Sequence, residues 1–219
     1  MQIPGSEKTV PAFRYLVVAL AAIVLPGLAM AEVADDYQAG LTSYRAGDIV
    51  GSMAPLKRAA DAGHAPAQAL YGTILDSAEF DDEAVAYLRK AAGQNDADGQ
   101  YGLAKMYLTG EGVATDDAEA SRLLRAAAAQ GQERAIITLA LAYVAGNARL
   151  GAADPAHPEA AQFLLKAAEI GEVSVISALV KAYREGGFGL RPDAAQADTW
   201  AARLVKIQGE DTKTAGRRK

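Results

Sequence analysis

A chain of 219 residues, 51% hydrophobic and 22% charged, is long enough to bury a substantial core. Its net charge of −5 excludes the basic footprint that general nucleic-acid binding requires. Cysteine is absent, which excludes disulfides, thiolate metal sites and lipid attachment at a cysteine, so packing alone must supply stability.

The first predicted element is a secretory signal. Lys8 and Arg14 form its positive segment, the run from Tyr15 to Leu25 its apolar segment, and Pro26-Gly27 breaks the helix before Ala29-Met30-Ala31. That small-x-small triplet directs cleavage after Ala31. The apolar run stops at Pro26, short of the roughly 20 residues of a permanent anchor. The mature chain is therefore expected to have no membrane span and to be periplasmic or secreted. Loss of Lys8, Arg14 and Glu7 makes it one unit more acidic.

From residue 32 onward, turn residues recur after similar helical patterns. Gly63, Asn95, Gly131, Gly171 and Gly209 mark successive unit ends, separated by 32, 36, 40 and 38 residues. Gly and Asn best tolerate the left-handed conformation that closes a helix, so these positions are expected to be helix C-caps. Ahead of the first four lie Ala59-Ala60, Ala91-Ala92, Ala127-Ala128 and Ala167-Ala168, small residues that let two helices approach closely. Leu75, Tyr107, Tyr143 and Tyr183 fall twelve residues after each marker, and Gly110, Gly146 and Gly186 follow three residues later, which defines a first helix and its stop.

Each unit thus reads as helix, loop, helix, turn. Helices of about a dozen residues do not stand alone, so the units must stack. Asp116 and Asp193 follow the loops as N-caps of the second helix, and Pro155 and Pro158 serve the same start in the fourth unit as first-turn prolines. The predicted fold is all-α, an α/α superhelical solenoid of about five helix-turn-helix repeats at residues 34 to 63, 64 to 95, 96 to 131, 132 to 171 and 172 to 209. Residues 210 to 219 are expected to form a disordered basic tail ending in Arg217, Arg218 and Lys219.

The stretch from Ala97 to Gly131, with Leu103, Tyr107, Gly110-Glu111-Gly112-Val113, Asp116, Ala120, Ala127-Ala128 and Gly131, closely resembles a Sel1-like repeat. The flanking units resemble degenerate copies. Residues 34 to 63, with Gly40-Leu41, Tyr44, Gly47-Asp48 and Ala59-Ala60, resemble the related tetratricopeptide-type unit. The resemblance implies a right-handed superhelix whose first helices line a concave face. Unit 64 to 95 departs from it by carrying Ser77-Ala78-Glu79-Phe80 in place of the Gly loop, and unit 132 to 171 by an insertion after Gly146.

Catalysis needs a convergent set of groups, and the chain shows none. His64 and His157 lie far apart in sequence, and the acidic runs Asp35-Asp36, Asp81-Asp82-Glu83 and Asp116-Asp117 fall at predicted helix starts, where the macrodipole favours negative charge. Gly110-Glu111-Gly112 and Gly186-Gly187-Phe188-Gly189 lack the strand and the Lys-Ser/Thr spacing of a phosphate cradle. No cofactor, metal or enzymatic activity is expected.

In the architecture that the resemblance implies, inward positions fall three, six, ten and thirteen residues after each turn. They give a concave face of Tyr101, Lys105, Leu108, Arg134, Ile137, Leu141 and Val144, extended by Lys181 and Arg184. An apolar floor flanked by basic groups suits an amphipathic or acidic peptide segment. The helix AIITLALAYV from Ala135 to Val144 is apolar almost all round and must be covered, either by the insertion at residues 147 to 157 or by a partner. The chain is accordingly expected to be a protein-binding adaptor, scaffold or regulator of the cell envelope. The alternative is a structural component that binds cell-wall or capsular glycan, which predicts exposed aromatic platforms.

Overall fold

The computed structural model describes residues 26 to 217, with side chains from 30 to 210. Residues 1 to 25, which carry the charged and apolar parts of the expected signal, lie outside that range, as do Arg218 and Lys219. Ten α-helices form among the described residues: α1 (Pro26–Arg45), α2 (Ile49–Asp61), α3 (Ala65–Ser77), α4 (Asp81–Gly93), α5 (Ala97–Thr109), α6 (Asp117–Ala129), α7 (Glu133–Ala145), α8 (Pro158–Ile170), α9 (Val173–Glu185) and α10 (Ala194–Arg217). They pair as five hairpins, and each odd-numbered helix after α1 also packs on the second helix of the hairpin before it.

One joint is repeated four times. After α2, α4, α6 and α8 the chain turns at Gly63, Asn95, Gly131 and Gly171, all at positive φ. The next amide donates back to the first alanine of the preceding pair: His64 N to Ala59 O at 3.0 Å, Asp96 N to Ala91 O at 3.1 Å, Gln132 N to Ala127 O at 3.1 Å and Glu172 N to Ala167 O at 3.0 Å. This six-to-one bond closes the helix end and satisfies a carbonyl that would otherwise be orphaned. The alanines serve packing as well, since seven of the eight are buried, and Leu56, Leu88, Leu124 and Leu164, three residues before each pair, are no more than 1% exposed.

Polar caps set the helix starts. Asp96 accepts from Gly99 N at 2.8 Å, Asp116 from Glu119 N at 2.9 Å and Asp193 from Gln196 N at 3.0 Å. Both histidines are caps too, His64 Nδ1 accepting from Ala67 N at 3.2 Å and His157 Nδ1 from Glu159 N at 3.3 Å. Pro158 opens α8, whereas Pro155 lies in the turn before it. The Gly-less loop of the second hairpin solves its turn with Glu79 at φ 63°.

The last expected marker is different. Gly209 lies inside α10 and not at a turn. The reason is packing: Trp200, Ala201, Leu204 and Ile207 hold α10 to the core, and no proline follows to stop it. The backbone expected to be a disordered tail is therefore helical as far as Arg217, at a cost of about 1 kcal/mol for the interior glycine.

The joints differ in what they bury. Gln68 is 4% and Gln100 5% exposed. Gln68 Nε2 donates to Ala60 O at 2.9 Å and its Oε1 accepts from Gln94 Nε2 at 2.7 Å. One unit on, Gln100 Nε2 donates to Asn95 Oδ1 at 2.9 Å and its Oε1 accepts from Gln130 Nε2 at 2.9 Å. In the next two units the equivalent positions are Ile136 and Ile176, 5% and 0% exposed.

A candidate partner-binding groove

A groove of about 630 Å³ opens on the face formed by the first helices of the first three hairpins. α1 contributes Tyr37, Leu41, Tyr44 and Arg45; α3 contributes Pro66, Ala69, Leu70, Thr73 and Asp76; and α5 contributes Asp98, Tyr101, Gly102 and Lys105. Gln132 and Arg134, at the start of α7, complete the lining. Sequence reasoning selects Tyr101, Lys105 and Arg134 from this set. It misses the α1 and α3 residues, although the same three, six, ten and thirteen spacing from Gly63 picks out Pro66, Ala69, Thr73 and Asp76.

Two glycines let a leucine of the second helix pack between the first helices. Leu88 of α4 reaches the lining between α3 and α5. A Cβ at Gly102 would come 2.6 Å from Leu88 Cδ2, and one at Gly72 2.9 Å from Leu88 Cγ. Larger residues at these two positions would displace Leu88 or the helix that carries it.

The charges inside the groove are unequally matched. Lys105 Nζ lies 2.7 Å from Asp76 Oδ2, and that hydrogen bond holds the ammonium pKa above its usual value. Asp98 accepts from Gln132 Nε2 at 3.1 Å. Arg45 and Arg134 make no ion pair among the described residues. Burial raises the Tyr37 hydroxyl, and the Tyr37 ring packs 4.5 Å from His64. That histidine is itself held below the ordinary range by burial. Beside it, burial raises the half-buried carboxyl of Asp96. Among the described residues no group of three or more His, Asp or Glu could hold a metal ion.

The remaining residues of the expected face lie elsewhere. Leu108 and Ile137 pack partly against the core, while Leu141 and Val144 stay 37% and 38% exposed. Lys181 is exposed and 3.9 Å from Glu185, and Arg184 is exposed. None of the six lines the groove.

The insertion does not cover Leu141 and Val144 of α7. Its Leu150 and Ala152 are buried, and Leu150 O accepts from Ser121 Oγ at 3.1 Å and from Arg125 at 3.3 Å. Arg149 forks onto Asp117 at 2.8 and 2.7 Å. Those partners belong to α6, so the insertion clasps α6. Polar bonds close it at the other end: the buried Tyr143 hydroxyl lies 3.1 Å from His157 Nδ1 and donates to Glu159 at 3.4 Å, and Arg125 Nε donates to Glu159 at 3.0 Å. Within this chain Leu141 and Val144 are left uncovered.

No protein-family model matches the chain, and no curated protein sequence is similar to it. Solved structures are. A protective antigen of uropathogenic Escherichia coli strains, described as displaying an SLR fold, superposes with a TM-score of 0.67 at 26% identity over 84% of this chain. The chain spans 40% of that antigen's length. A Sel1 repeat protein from Oxalobacter formigenes superposes with a TM-score of 0.64 at 28% identity, over 86% of this chain and 78% of the other. One from Klebsiella pneumoniae shares the fold with a TM-score of 0.56 at 21% identity, over 84% and 90% of the two chains. The unit spelled out most fully between Ala97 and Gly131 is thus the one from which the molecule is assembled, and the chain has the fold of the Sel1 repeat proteins it resembles.

Proposed function

We propose that this chain is a protein-binding scaffold or adaptor that works through the concave face of its repeats, and that it does so after export, in the periplasm or cell envelope. The observation that carries the first part is the groove over α1, α3 and α5, where Leu41, Leu70 and Tyr101 sit beside uncompensated arginines. Exposed Leu141 and Val144 extend the partner surface toward the carboxy-terminal hairpins. A surface of that kind gains from excluding water and orients its partner by charge. Nothing in it resembles a nucleophile with its base or paired catalytic carboxylates.

Export rests on the sequence signal, and it agrees with a structural neighbour being a bacterial antigen. No helix among the described residues is long and apolar enough to cross a membrane. Mass spectrometry of the protein from fractionated cells tests this, with an amino terminus at Glu32 in the periplasmic or secreted fraction as the expected result. An uncleaved chain retained in the cytoplasm would refute it. The binding reading is tested by photo-crosslinking in cells from position 101 and position 141, which should attach a protein.

A second reading, binding of wall or capsular glycan, is favoured by one observation: Tyr37, Tyr44 and Tyr101 line the same groove. Co-sedimentation with purified wall material, lost on Tyr101→Ala, would establish it in place of the first.

A further inference from the structure

Resting on the scaffold reading, we infer that the groove takes an extended peptide in which an apolar stretch is flanked by two carboxylates, one held by Arg45 and the other by Arg134. The argument begins with charge. The chain carries a net −5, yet in this groove the two acids are already engaged, Asp76 by Lys105 and Asp98 by Gln132. Arg45 and Arg134 are left with no acidic partner among the described residues. With Asp98 bonded only to a neutral amide, the lining keeps one net positive charge, three basic against two acidic side chains; beside an apolar floor and in an otherwise acidic protein, that selects for acid in whatever binds there. Guanidinium groups suit this task, because their planar fork matches a carboxylate with two hydrogen bonds.

Position supplies the length. Arg45 ends α1 and Arg134 begins α7, the first helices of the first and fourth hairpins. Packed helices lie roughly 8 to 10 Å apart, so crossing three such steps needs at least about eight residues of extended chain at ~3.3 Å each. The groove between the arginines has aliphatic residues in its lining, Leu41, Leu70 and Leu88, the last able to sit between α3 and α5 because Gly72 and Gly102 have no side chains. They offer contact to an apolar side chain of the bound segment.

Free hydrogen-bonding groups point to a peptide in particular. The hydroxyls of Tyr37, Tyr44 and Tyr101 make no hydrogen bond among the described residues. Three hydroxyls able to donate and accept can serve the backbone amides and carbonyls of a strand crossing the groove.

The test is selection of a random twelve-residue peptide library displayed on phage against the full chain. The best-enriched peptide is then synthesised and its affinity measured by fluorescence anisotropy. Enriched sequences should carry Asp or Glu on both sides of an apolar stretch. Arg45→Gln and Arg134→Glu should each weaken the peptide about tenfold, whereas Val50→Asp, on the exposed side of α2 and outside the groove, should leave affinity unchanged. Arg134 lies in the first turn of α7, where the helix dipole welcomes a carboxylate, so a loss in Arg134→Glu with an unshifted thermal melt is not a folding defect. Peptides without flanking acids, or affinity insensitive to both arginine changes, or loss of binding on Val50→Asp, would overturn the inference while leaving the scaffold reading in place. Failure of any peptide to enrich over bare support would overturn both.

Discussion

The two halves of the solenoid join their hairpins by different chemistry. At the second and third hairpins a glutamine of the first helix, Gln68 or Gln100, is buried and bonded to a second glutamine at the end of the following helix, Gln94 or Gln130. At the fourth hairpin both positions are isoleucine, Ile136 and Ile170. Glycine at the neighbouring position is particular to the joint between α4 and α5, where a Cβ at Gly99 would lie 2.4 Å from Ala91 Cβ; the equivalent residues are Ala67, Ala135 and Val175, all buried. A repeat position can therefore be filled in two ways, by a bonded amide or by branched hydrocarbon.

The largest effect expected from disturbing this contrast is at Leu88, the side chain locked between Gly72 and Gly102. Leu88→Ala should cost about 2 to 5 kcal/mol in urea unfolding. A loss below about 1 kcal/mol would mean that α3 and α5 collapse onto the gap and that the cleft is not rigid. Next comes a reciprocal exchange. Ile136→Gln would bury an amide beside Gly131 and Ile170, neither of which can accept or donate from a side chain, and should cost roughly 2 to 3 kcal/mol. Gln100→Ile removes one amide and frees the exposed Gln130 to bond water, so its cost should stay near 1 kcal/mol. Equal costs would erase the distinction between the halves.

Gly99→Ala tests the close approach. The added methyl must push α5 away from α4, and ~1 to 3 kcal/mol is expected. The smallest effect is a pH dependence confined to the amino-terminal half. Burial holds His64 below its ordinary 6.5, and its Nδ1 must stay unprotonated to cap α3. The folded state thus binds this proton less readily than the unfolded one. Stability from His64 is complete above 6.5 and is lost as pH falls below that value toward the lowered folded pKa. His64→Asn keeps a cap without a titrating group, so its melting temperature should fall less than that of the unaltered protein between about pH 7 and pH 5.

Much of this scaffold is legible in the sequence because its punctuation is local. Gly63, Asn95, Gly131 and Gly171 announce left-handed turns, and Asp116 and Asp193 announce helix starts, through bonds made within a few residues. Gly209 misleads for the same reason: a glycine is compatible with a turn, but whether the helix stops is decided by α9 packing along Trp200 to Ile207. The groove is less legible. The packing beneath it depends on Gly72 and Gly102 facing one leucine of another helix, and its first wall comes from a unit with no preceding turn marker to set the register. The insertion's destination was equally hidden, since nothing local to Leu150 says that its pocket lies on α6.

From α2 to α9 every helix is thirteen residues long, about 20 Å of rise. The links between hairpins are two or three residues, while the links within them range from three, around Glu79, to twelve, from Gly146 to His157. The molecule is in effect a ribbon with one selvedge woven shut and one left open. New sequence can be added at the open margin without altering the angle at which neighbouring hairpins meet, so this lineage can acquire or discard recognition loops while its curvature is inherited unchanged.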